Sequence, residues 1–298
     1  MDMWIPITIA AAFCLNIRSA LQKSLKTSLS TLGATSARFV FAAPLAVLAL
    51  GLVMSIKGTQ IAPVGMPFFI YAVAGGVAQI LGTVLLIHLF SYKSFTVATT
   101  FTKTETIQTA LFGILLLGDQ LTLVAALGII ISLFGVILIS LPAGQGGAGK
   151  LLDHKALIGA VSGGLFGISA VAYRGASLSI GSEDVLLRAA MTLAFVTCLQ
   201  AVLVLGWLHL REPGEIGRLL GRWKVAGLVG LAGMLSSLGW FTAFTLQNAA
   251  YVRALGQIDI VFTLAASFLF FKEQVTVREI FGVLLVSLGI VAIVLAAS

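Results

Sequence analysis

At 298 residues the chain is 59% apolar and only 10% charged, with a mean hydropathy of +1.10, whereas about a quarter of the residues in a water-soluble domain are charged. That excludes a soluble enzyme, a nucleic-acid binder and a secreted disulfide scaffold, and it makes the bilayer the solvent. The net charge of +7 reads as the Lys/Arg bias of cytoplasmic connections, not as the footprint of a polyanion, and Cys14 and Cys198 fall inside apolar runs with no disulfide or metal spacing.

Continuous apolar runs bounded by charge or Gly/Pro clusters predict an all-α membrane protein of ten transmembrane helices. In chain order the spans are 4–21, 32–56, 67–90, 95–117, 121–141, 156–177, 184–207, 225–246, 250–271 and 277–297. None shows the in/out alternation of a barrel strand. Ten spans of roughly 21 residues consume about 210 positions, which leaves no room for a sizeable domain outside the membrane. The first run lacks a basic leader and a small-residue cleavage site, so it reads as a helix and not as a removed signal peptide. Lys23, Lys26, Lys93, Lys150, Lys155, Arg211, Arg218, Arg222, Lys224, Lys272 and Arg278 lie in or beside the connections after odd-numbered spans. The even-numbered connections carry Asp119, Glu183 and Asp184, with Lys57 and Arg174 as their basic residues. The positive-inside rule then places both termini outside the cytoplasm, in the periplasm for a bacterial inner membrane.

The chain also repeats itself. At an offset of 154 residues Glu105 falls on Asp259, Gly118-Asp119-Gln120-Leu121-Thr122 on Lys272-Glu273-Gln274-Val275-Thr276, Gly128 on Gly282 and Gly135 on Gly289; an offset near 150 puts Arg38 on Arg188. The organisation expected is a first five-helix repeat over 1–141, a Gly-rich linker over 142–155 and a second repeat over 156–298. Five is odd, so the second repeat must enter the membrane upside down, the arrangement of many secondary transporters.

In these features the sequence resembles the drug/metabolite transporter superfamily, in its ten-helix, EamA-type branch. The acidic turn before the last helix of each repeat, the glycines within that helix, and an Arg in the second helix of each repeat (Arg38, Arg188) carry the likeness. Where family members often have proline beside the acid of the fourth and ninth helices, this chain keeps Glu105 and Asp259 but has Thr106 and Ile260. The resemblance implies metabolite transport, often efflux of amino acids or drug-like compounds, across a bacterial inner membrane.

Glu105 and Asp259 lie about ten residues into their spans, near the midplane at about 1.5 Å per residue. Insertion scales put such a group at roughly 2.5–3.5 kcal/mol, so each needs a partner, a wet cavity or a bound proton. Two readings stand: a site for a substrate ammonium or a coupling proton, and a packing ion pair with Arg38 or Arg188. Lys103 lies two positions from Glu105, about 200° around an ideal helix, and so on another face. Thr99, Thr102, Thr106 and Thr109 make that helix polar on more than one side; Arg253 and Gln257 stand before Asp259 as Lys103 stands before Glu105. Arg253 could equally snorkel to the surface. Gln79, Asn16 and Ser236-Ser237 fall near the middles of their spans, where a polar side chain binds a ligand or bridges two helices. Trp240 lies too deep for an interfacial belt and either walls a cavity or packs, and His88 falls at the end of its span, as an interfacial group or a proton relay. Gly159, Gly163 and Gly167, like Gly227, Gly230 and Gly233, allow close backbone approach.

Gly144 to Lys150 satisfies the spacing of a phosphate-cradling loop, but Leu151 stands where a magnesium-binding hydroxyl belongs and no strand precedes it. No nucleophile elbow or metalloprotease motif appears, so neither an enzyme nor a cofactor is expected. Uphill transport must then draw on an ion gradient, protons included, or run as exchange. The function expected is a secondary exporter of small metabolites, amino acids first, by alternating access around a midplane site; its partners are a small-molecule substrate and the lipid bilayer. Cationic drugs or nucleotide-sugar-like anions are the alternative substrates, and a passive channel is the alternative class. The site expected comprises Glu105, Asp259, Lys103, Gln257, Arg38, Arg188, Gln79 and Trp240.

Overall fold

The computed structural model describes residues 2–25, 28–89, 102–140, 154–262, 264 and 276–297. The described residues are helical apart from their connections and one isolated antiparallel bridge between Val64 and Ile180. The helices are α1 (Trp4–Leu25), α2 (Thr31–Val40), α3 (Ala42–Lys57), α4 (Met66–Leu89), α5 (Glu105–Leu117), α6 (Leu123–Ser140), α7 (His154–Leu178), α8 (Val185–Arg211), α9 (Glu215–Gly221), α10 (Trp223–Leu246), α11 (Ala249–Leu255) and α12 (Val277–Ala297). Among the described residues seven stretches are long and apolar enough to cross a membrane: Trp4–Gln22, Thr31–Lys57, Met66–Leu86, Leu157–Leu178, Val185–Arg211, Trp223–Leu246 and Val277–Ala297. The apolar helices α5 and α6 are shorter. Thr99, the loop from Gly144 to Lys150, the expected linker up to residue 153 and the turn over 272–275 lie outside the described residues.

Two departures from the expected spans have local causes. The second span divides at Phe41 into α2 and α3. Pro44 has no N–H to offer the carbonyl of Val40 and its ring crowds that carbonyl, so the helix bends there. The connection after α8 folds into the short helix α9, entered through Gly214 at φ +85°. Arg174, read above as a connection residue, lies inside α7, because that helix continues to Leu178.

The chain clusters into two compact units, each assembled from both sequence repeats: Met1–Ile5, Ala78–Val171 and Gln247–Ser298 form the first, Pro6–Val77 and Ala172–Leu246 the second. In the second unit α8 packs against α2, α3 and α10 and buries Leu187, Ala190, Leu193, Val196 and Ala201 among others. Leu25, Leu29, Ala34, Ala37, Leu219, Ala226 and Val229 form an apolar cluster at one end of this unit. There Ser30 caps α2 at Gly33 N (2.9 Å), and its own N–H and hydroxyl are held by Glu215 and Glu212. At another connection Gly181 N donates to Pro63 O at 3.1 Å, and Lys57 pairs with Asp184.

In the first unit α6 and α12 pack closely. A Cβ built on Gly128 would lie 2.8 Å from Gly289 O, and one on Gly135 2.6 Å from Gly282 O. The rising number on one helix meets the falling number on the other, so the two helices run antiparallel, backbone against backbone. In the repeat numbering Gly128 matches Gly282 and Gly135 matches Gly289, so each glycine meets the counterpart of the other, a self-complementary contact of the kind a two-fold axis produces.

Candidate functional site

Both acid-bearing helices are interrupted where the charges sit. Thr102 is helical, Lys103 and Thr104 form a turn, and α5 begins at Glu105; α11 ends at Leu255, Gly256 and Gln257 form a turn, and residues 258–262 are helical again. At the second break the backbone tightens into three-residue spacing: Gln257 N bonds Ala254 O at 3.2 Å, Asp259 N bonds Gly256 O at 3.1 Å and Ile260 N bonds Gln257 O at 3.1 Å. Gly256 is a poor helix former. At the first break Thr104 stands at the N-cap position of α5 without a side-chain cap hydrogen bond, and its hydroxyl instead accepts from Gln108 Nε2. No proline is needed at either place.

The breaks dispose of the expectation that Lys103 and Glu105 occupy different faces, because that angle holds only for an unbroken helix. Both lie against the segment that carries Arg253 and Asp259. Arg253 pairs directly with Glu105, and Lys103 Nζ stands 3.5 Å from Asp259 Oδ2. The four groups sum to zero charge and come from both repeats. Glu105 opens α5, and Asp259 follows the turn that ends α11. The four side chains keep between 19% and 31% of their surface, so all are largely but not fully buried in the protein.

Gln257 and Thr106 tie the breaks together. Ser132 Oγ on α6 donates to Gln257 Oε1 at 2.6 Å, and Gln257 Nε2 donates to Thr106 Oγ1 at 2.6 Å; all three side chains are buried. From the opposite side α7 closes in. A Cβ on Gly163 would lie 2.7 Å from Thr102 O, and one on Gly167 3.0 Å from Thr109 Oγ1. Gln108, one helical turn beyond the break, donates to Thr104 Oγ1 at 2.8 Å and to Ala160 O at 3.2 Å. The glycine row on α7 thus seats the broken helix.

Of the residues expected at the site, Lys103, Glu105, Gln257 and Asp259 come together. Gln79 belongs to the same unit, on α4, and accepts from Thr83 Oγ1 through its carbonyl. Arg38, Arg188 and Trp240 belong to the second unit. There Arg188 Nε donates to Ser177 O at 2.9 Å, the Arg38 guanidinium lies 4.9 Å from the Phe39 ring centroid, and Trp240 stacks on Phe244 at 5.9 Å. The ion pairs of both acids are made by Lys103 and Arg253, in place of the pairing with Arg38 or Arg188 considered from the sequence. Ser236 donates to Ala11 O at 2.9 Å and bridges two helices, and Asn16 bonds its own helix at Ala12 O.

Sequence reasoning overlooked several groups. Ser132 carried no signal beyond being one hydroxyl in an apolar helix. Gln200 donates to Gly76 O at 3.1 Å and contacts the Tyr173 hydroxyl at 3.3 Å, which itself donates to Gly75 O at 3.0 Å; a lone amide in the middle of the seventh span was the available sign. Arg174 Nη1 donates to Phe244 O at 2.7 Å.

Comparison with known proteins bears on what this arrangement serves. A solved structure described only as "Crystal structure of protein" matches with a TM-score of 0.74 at 14% identity, over 99% of this chain and 99% of that one, a likeness of fold. No curated protein matches the sequence. The model of the EamA-like transporter family matches twice, over residues 2–141 and 155–295. This chain is a multi-pass membrane protein that belongs to the EamA-like transporter family, whose members carry small molecules.

Proposed function

We propose that the chain is a secondary active exporter of small zwitterions, amino acids first among them, and that the cluster of Lys103, Glu105, Arg253 and Asp259 is its binding site. The observation that carries this reading is a charge-neutral set of two acids and two bases at paired helix breaks. An isolated charge in hydrocarbon is costly, and four are tolerated together because they neutralise one another. A zwitterion brings the same two charges and can join such a set without leaving either sign uncompensated. Discontinuous helices from two repeats, with freed backbone groups at the level of the ligand, are the usual construction of secondary-transporter sites.

The antiparallel crossing of α6 and α12 supports inverted repeats, and the two family matches support a chain of two repeats. Alternating access follows from such repeats, with each taking in turn the conformation of the other. The +7 charge and its distribution support a bacterial inner membrane with both termini periplasmic, and energy would come from a proton or from exchange. Saturable counterflow of amino acids in proteoliposomes is the expected result. Uptake of another solute with no saturable flux of any amino acid overturns the substrate assignment, and unsaturated conductance in electrical recording overturns the transporter class in favour of a channel.

A further inference from the structure

We propose that the two ion pairs divide the work: Lys103 and Asp259 open to take the substrate's carboxylate and ammonium, while Arg253 and Glu105 stay closed and hold the two helix breaks in register. This rests on the transporter reading of the same cluster.

The pairs differ in geometry. Arg253 is in direct contact with Glu105, and each keeps 19% of its side-chain surface, whereas Lys103 and Asp259 stand 3.5 Å apart and keep 31% and 22%. They differ in chemistry. A guanidinium offers a carboxylate a rigid, weakly hydrated fork, while an ammonium on a flexible stem exchanges one carboxylate for another readily. They also differ in anchorage. Glu105 opens α5, and its carbonyl accepts from Thr109 Oγ1 one turn on at 2.8 Å. Lys103 sits in the turn itself.

The repeat shows the same asymmetry. The acids are equivalent at the 154-residue offset, but the bases are not. The position matching Lys103 holds Gln257, whose amide is already committed to Ser132 and Thr106. The second break therefore carries no base at that position, and Asp259 draws Lys103 from the first break. An amino acid entering between Lys103 and Asp259 replaces each partner by a group of the same charge, so neither side chain is left buried without a counter-ion during the exchange.

A pair of double-mutant cycles on thermal unfolding in detergent reads the pairs without any substrate, using Lys103→Met with Asp259→Asn and Arg253→Met with Glu105→Gln. The expected coupling in midpoint is at least about twofold larger for Arg253 with Glu105. Equal or larger coupling for Lys103 with Asp259 overturns the proposal.

Competition against leucine counterflow in proteoliposomes then reads the assignments, with isopentylamine lacking the carboxylate and 4-methylpentanoate lacking the ammonium. The wild type should favour leucine over each by about tenfold or more. Lys103→Met should abolish the preference over isopentylamine, and Asp259→Asn the preference over 4-methylpentanoate. Glu105→Gln, or Glu105→Asp where the former does not fold, should slow flux and keep both preferences; loss of preference there as complete as in Asp259→Asn overturns the division. If the couplings come out as expected but the wild type moves no amino acid, the zwitterion reading fails, and with it the opening of Lys103 and Asp259 to such a substrate, while the clamping role of Arg253 and Glu105 survives.

Discussion

On the proposed division of the cluster, Asp259 is the acid whose neutralisation should separate binding from folding. It pairs at 3.5 Å with a lysine on a flexible stem, so Asp259→Asn should lower counterflow on the order of tenfold while the solubilised protein keeps its unfolding midpoint within a few degrees. A large fall in midpoint with flux per folded molecule unchanged would make Asp259 a packing residue. Gln257 behaves in the opposite way. Gln257→Leu leaves the buried hydroxyls of Ser132 and Thr106 without their amide partner, at about 1–3 kcal/mol for each group left unsatisfied, and should register first as a loss of thermal stability. Outside the membrane Asp184 offers a pH signature. The Lys57 ammonium and the Leu187 N–H hold its carboxyl below the ordinary 3.8. Because the folded-state value is depressed, this stabilisation is fully present above pH 3.8 and disappears as pH falls through the lower folded-state value. Asp184→Asn keeps an N-cap but loses the ion pair, so its midpoint should lie below that of the wild type at neutral pH, and the gap should close in acid below 3.8.

Among the elements, glycines decide which helices can touch. Gly163 faces the break at 102–105 on its own repeat's neighbour, and Gly230 takes the same part at the bend in the second span, where a built Cβ would lie 2.7 Å from the Phe41 carbonyl carbon and 3.0 Å from Ala42 N. Gly163→Val should displace Thr102 and with it Lys103, so flux is expected to fall more steeply than stability when both are measured on one preparation. At the α6–α12 crossing the expectation is reversed. Gly289→Leu forces apart two backbones that meet at Gly128 O and Ser132, an overpacking worth about 1–3 kcal/mol, and should lower the unfolding midpoint. The repeated acidic turn has an equally local role. Thr122 Oγ1 accepts from Ala125 N at 3.2 Å at the start of α6, and Thr276 with Glu279 forms a capping box at the start of α12, with Thr276 N to Glu279 Oε2 at 2.7 Å. The most recognisable motif of the sequence therefore includes a helix start, and Glu105 lies about 20 Å away from it along α5.

For the molecule as a whole, hydropathy and charge made the membrane class, most of the helices and the repeat legible, because burial in lipid demands long unbroken apolar runs. The same logic hid the breaks at Lys103 and Gln257: a turn inside such a run leaves hydropathy unchanged. Orientation can be checked directly. Reporter domains fused to the N- and C-termini should both show periplasmic behaviour, and a reporter in the connection after α8, which carries Arg211, Arg218 and Arg222, should show cytoplasmic behaviour; termini on opposite sides would mean an odd number of crossings and would undo the inverted-repeat reading.

From the sequence alone came the solvent, the repeat, the family and the short roster of charges that hydrocarbon does not tolerate singly, since each follows from composition and spacing along one chain. Which charge meets which was decided only in three dimensions. Lys103 and Glu105 share a neighbourhood because the helix stops between them, and Gln257 became a clamp because Ser132 and Thr106 happen to face it from other helices. Pairing among charges depends on where the backbone departs from regular helix, and the partners that meet at those breaks come from segments some 150 residues apart, which no local pattern records. The scarcity of charge in a 298-residue apolar chain pointed to the residues; only their convergence could divide them into partners.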